Sequence, residues 1–125
     1  MEHRLSPVTE GAYLEPQEIV RRLRAEFGFV EADADAGTEI VADMIKQFQR
    51  MKAPQAMIDA HRAMLGKAIR IVVSDREDLE DDYLAFTAMP NGDPFISYSS
   101  GQHEDSVAPL LERACRILHY SAELV

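Results

Sequence analysis

Apolar residues recur at helical spacing over one long stretch, Thr38 to Leu65, where Ile40, Met44, Phe48 and Met51 lie at i, i+4, i+8 and i+11. Val41 and Ile45 widen that stripe, so the spacing predicts an amphipathic helix with one face turned to a core. Pro54 has a fixed φ and no N–H to donate, which suits the first turn of a new helix, and the stretch is expected to be two helices meeting at a tight corner. Met57, His61 and Met64, with Ile58 and Leu65 beside them, continue the stripe, and Gly66 closes it as a left-handed terminator.

The same periods divide the rest of the chain. Pro16 opens an earlier helix with Ile19, Val20, Leu23 and Phe27 as its buried stripe, and Gly28 ends it. Residues 29–32 alternate as a short strand, after which Asp33 or Asp35 is placed to cap the second helix. Ala68 to Ser74 is β-branched, with Ile69, Ile71 and Val73 on one side. Tyr83 to Met89 alternates as a second strand. Pro90-Asn91-Gly92-Asp93 has the chemistry of a tight hairpin turn into a third, Phe95 to Ser99. The last helix is expected from Asp105 or Ser106, with Pro109 inside its first turn and Val107, Leu110, Leu111, Ala114, Leu118, Ser121 and Val125 at helical spacing. Residues 1–14 hold no period and are expected to form an arm, in which Leu5, Val8, Tyr13 and Leu14 are placed to lay an edge strand across a single domain of residues 15–125. The order α-β-α-α-β-β-β-α predicts a two-layer α+β domain, an antiparallel sheet of three to four strands with about four helices mainly on one face.

Composition narrows the class of protein. At 125 residues the chain is long enough to bury a core without staples, and its single cysteine, Cys115, excludes an internal disulfide or a multi-cysteine metal site. Cys115 is expected to be a small core residue. No apolar run is long enough to span a bilayer, and the first residues lack the apolar core of a signal peptide, so a cytoplasmic protein without membrane attachment is expected. The net charge of −9 is unevenly spread: Met1 to Arg70 holds 10 Lys and Arg against 11 Asp and Glu, whereas Ile71 to Val125 holds 3 against 11. Most of that surface repels a polyanion, which argues against nucleic acid as a partner. The division also permits a basic surface of one copy to face the acidic half of another.

Candidate chemistry is sparse. Residues 75–82, DREDLEDD, offer six carboxylates to a hard cation, yet Leu79, Glu80 and Phe86 stand where a calcium loop needs a ligand, a glycine and a closing glutamate. Ser74 with Glu77 instead matches a capping box. The polar run Ser99-Ser100-Gly101-Gln102-His103-Glu104-Asp105 lies between a strand and a helix, where His103 is placed to act as base or ligand beside Glu104 and Asp105, with Ser99 and Ser100 adjoining. It lacks a serine-nucleophile elbow, and the two acids oppose an anion site. Arg21, Arg22 and Arg24 form the densest basic cluster and fit a solvated helix face. His61 fits a half-buried packing role, and no two histidines have the spacing to place a metal between them on one element.

Two functional expectations follow. The first is a non-enzymatic interaction or regulatory module that self-associates, as a homodimer, through the corner carrying Met51, Met57, His61 and Met64, since thioethers adapt to irregular partner surfaces. The second is a small ligand-binding protein or metal-assisted enzyme with its site between the 99–105 loop and the acidic 75–82 segment. No complete catalytic constellation or cofactor motif is present, which favours the first.

Overall fold

The computed structural model describes residues 2–74, 83–90, 95–97 and 104–124. Ten elements follow one another: β1 (Glu2–Pro7), α1 (Pro16–Arg24), β2 (Phe29–Asp33), α2 (Ala34–Arg50), α3 (Gln55–Arg62), β3 (Ile69–Ser74), β4 (Leu84–Ala88), β5 (Phe95–Ser97), α4 (Glu104–Leu118) and β6 (Tyr120–Leu124). The class is α+β, and among the described residues all strand pairs are antiparallel in one six-stranded sheet of order β2-β3-β4-β5-β1-β6.

The two strands beyond the expected four come from the two ends of the chain. β1 is an interior strand, pairing Arg4 with Phe95 on one side and Leu5 with Ala122 on the other, and Leu5 is wholly buried. The helical period expected to run on to Val125 stops at Leu118. His119 takes φ of 56°, a left-handed residue that ends α4 and turns the chain back along β1. Tyr120 then buries its ring, and its hydroxyl accepts the backbone N–H of Leu14 at 2.8 Å, which ties the chain after β1 to the start of β6.

One face of the sheet carries the main core. Ile69, Ile71 and Val73 of β3 and Leu84, Phe86 and Ala88 of β4 meet Ile19, Val20 and Leu23 of α1 and Val107, Leu110, Ala114 and Leu118 of α4. This is the alternation and the helical stripe expected of half-buried elements. α1 is shorter than its apolar stripe, ending at Arg24, but Phe27 still enters the core. Arg113 of α4 lies 4.5 Å over the Phe27 ring and donates to the Glu26 carbonyl in the turn that follows α1. Cys115 packs half-buried against the same core, and burial pushes its thiol up to about 11. Pro109 falls in the second turn of α4 rather than the first, because the helix begins at Glu104.

A second, smaller core lies at the end of the sheet where β3 starts and β4 finishes. Val41 and Ile45 of α2 and Ile58 of α3 close there on Ala68 and Met89, whose alternation points them away from the Ile69 and Ala88 side. Asp33 caps α2, its carboxylate accepting from Ala36 N–H at 2.9 Å. Gly37 makes the approach possible: a Cβ there would overlap the Ala68 carbonyl and sit 2.8 Å from the Ile69 nitrogen.

Candidate functional site

The α2–α3 pair is built around a Schellman turn. Lys52 N–H donates to the Gln49 carbonyl at 3.2 Å and Ala53 N–H to the Phe48 carbonyl at 2.9 Å, with Lys52 at φ 54° in the position glycine usually fills. Pro54 then sets the N-cap of α3 at φ −54°, ψ 139°. α3 ends at Arg62, one turn short of the apolar stripe, and a run of turns leads through Gly66 at φ 81° to β3.

Burial divides the stripe. Val41, Ile45 and Ile58 take the interior, and Phe48 and Met64 lean half-buried on them. The His61 ring meets Phe48 edge-on, centroids 4.7 Å apart at 70°, and its Nδ1 bonds the Met57 carbonyl at 2.9 Å. His61 is thus held by its own helix and a core ring. Met51, Met57 and Leu65 are left in solvent, at 76%, 43% and 40% exposure, so three of the five large apolar side chains exposed among the described residues belong to this corner. Leu65 was legible as a member of the stripe but not as an exposed one.

The charge along this stretch of the chain is opposite to that of the molecule. Residues 46–67 hold five cations, Lys46, Arg50, Lys52, Arg62 and Lys67, against the one carboxylate of Asp59, a net +4 in a chain of −9. The other residues therefore carry −13. All five cations are exposed. Arg62 faces Asp59 at 3.7 Å, and among the described residues the other four make no ion pair. An open hollow of about 510 Å³ adjoins the corner through Gly66 and Lys67 and is otherwise walled by Glu15, Pro16, Gln17, Ala34, Ile69 and Pro90.

The second expected site cannot be built from described positions. Ser99, Ser100 and His103 lie outside the described residues, as does the 75–82 segment, while Glu104 and Asp105 are placed only as backbone in the first turn of α4. Among the described residues no three of His, Cys, Asp and Glu converge to hold a metal ion, and no helix is long and apolar enough to cross a membrane. Two arginines of the basic cluster of α1 are paired: Glu18 accepts from Arg21 at 2.5 and 2.8 Å and from Arg22 at 2.9 Å. Those bonds hold the Glu18 carboxyl at about 2 and raise the Arg21 guanidinium further. Comparison of the chain with protein-family models, curated proteins and solved structures finds no match.

Proposed function

We propose that this protein is a non-enzymatic interaction module that docks a protein on its α2–α3 corner. The observation that carries the reading is the exposure of Met51, Met57 and Leu65 along the α2–α3 corner and the turn after it, whose other apolar residues fill a small core. A flexible thioether surface over a rigid support suits docking of a partner's side chains. The polar groups support the same reading. The histidine of the corner is engaged in packing, and the half-buried Cys115 thiol, pushed to about 11, is a poor nucleophile at neutral pH. A chain of −9 works against nucleic acid as the partner, and a lone thiol is at home in the reducing cytoplasm.

Site-specific photo-crosslinking tests this. A photoreactive residue replacing Met51 or Leu65, in cells that make the protein, is expected to trap a discrete adduct, whether a second copy or another protein. The same probe at the exposed Glu112 of α4 should not, and Met57→Asp should abolish the adduct. Equal adducts from all three positions, or none from the corner, would overturn the reading.

A further inference from the structure

We infer that the partner taken by the α2–α3 corner is a short acidic amphipathic segment of another protein. The inference rests on the docking role proposed above and adds its chemistry. Lys46 and Arg50 stand one turn apart on α2, Lys52 sits at the corner, and Lys67 follows α3; none has an ion-pair partner among the described residues. Met51, Met57 and Leu65 stand exposed among them. A segment with apolar residues on one side and carboxylates flanking them would satisfy both, covering the thioethers while meeting the cations at the rim.

Charge decides between occupants. A second copy docking the same corner would set +4 against +4, a like-charge contact that disfavours the twofold arrangement. A second copy presenting its acidic 75–82 segment would bring a single apolar residue, Leu79, to a corner that exposes three, and a head-to-tail contact between identical copies need not close. An anionic bilayer or a nucleic acid extends well beyond the corner. At physiological salt, screening acts over about 8 Å, so an extended anionic surface would meet the −13 of the remaining molecule as well as the +4 of the corner. A short segment can stay within the basic patch.

Lys52 supplies a separate sign. A left-handed non-glycine residue is strained relative to glycine, and the Schellman turn would form more easily with glycine there. Lysine at that position places a charge on the corner at a cost in fold stability.

The experiment is a selection of random peptides displayed on phage against the immobilised full chain, with the enriched sequences remade as synthetic peptides. Enriched peptides are expected to carry an excess of Asp and Glu with Leu, Phe or Met at i, i+3 or i+4, and i+7. Lys46→Glu combined with Arg50→Glu should weaken them roughly tenfold or more. Lys52→Gly should also weaken them while raising the melting temperature, which separates loss of charge from loss of fold. Peptides that bind the corner and are lost in Met57→Asp but show no acidic excess would overturn this inference and leave the docking role standing. Peptides indifferent to Met57→Asp and to both charge variants, or no enrichment, would remove both. Corner-dependent binding to vesicles of phosphatidylserine, or a mass that doubles with concentration and is halved by Met57→Asp, would replace the acidic segment by a lipid surface or a second copy.

Discussion

Glu18 joins two arginines of α1 through its single carboxylate, and its pairing sets a pH dependence that can be measured in isolation. Its folded value of about 2 lies below the ordinary 4.5, so the bonds to Arg21 and Arg22 favour the folded form above about pH 4.5. That contribution is lost as the pH falls toward 2. The carboxyl carbon of Glu18 in a ¹³C NMR titration should therefore have its midpoint near 2, and Arg21→Gln should move it back toward the ordinary range. A midpoint of 4 or above in the wild-type protein would refute the paired geometry. The group is half-exposed at the surface, so its influence on the melting temperature is expected to be small and to fade in high salt. At this scale the sequence was informative where a residue acts on near neighbours: the i, i+4 spacing of Glu18 and Arg22 stands in the chain, and the cap of α2 was narrowed to Asp33 or Asp35, of which Asp33 serves. Exposure could not. Met44, half-buried, and Met51, 76% exposed, have the same chemistry and period in the chain, and what separates them is where α3 folds back.

Between elements, the contact that holds the α2–α3 corner to the sheet is the approach of α2 to β3 at Gly37. Because a methyl group there would overlap backbone atoms of Ala68 and Ile69 rather than a yielding side chain, the helix itself must move. Gly37→Ala is expected to destabilise the fold by about 1–3 kcal/mol or more despite the higher helix propensity of alanine. Urea denaturation would show the loss; a variant as stable as the wild type would mean that α2 can shift away without consequence. Most of the elements were legible because their patterns are local. β3 alternates β-branched residues, and the corner is marked by Pro54. β6 was hidden for a physical reason: Leu118, Ser121 and Val125 keep the helical period across a boundary fixed by one left-handed residue, His119, whose side chain carries no strong terminating signal. β1 was legible only as an arm or edge strand, not as an interior one, because its residues show a single deeply buried apolar side chain, Leu5, and its strand partners are some 90 and 120 positions away.

For the whole molecule, the two cores imply two stabilities. Among the described residues the larger joins α1, α4 and the sheet through seventeen buried residues, while the core under α2 and α3 has five. Regions with less buried apolar surface open at lower free energy than the global transition. Native-state hydrogen exchange should accordingly show the amides of α3 opening through a sub-global event, sensitive to low denaturant, while α1 and the later turns of α4 exchange only with global unfolding. β1 makes this prediction sharper. It is the first strand of the chain, where fraying is the usual expectation, yet it sits inside the sheet between β5 and β6 with Leu5 fully buried. The amides of residues 4–6 that bond across to β5 or β6 should therefore be protected as well as those of β3. Fast exchange there, with β3 intact, would show that the two end strands do not close the sheet. Slow exchange there together with early opening of α3 would place the proposed docking corner on a part of the fold able to adjust its helices to a partner while the sheet beneath stays rigid.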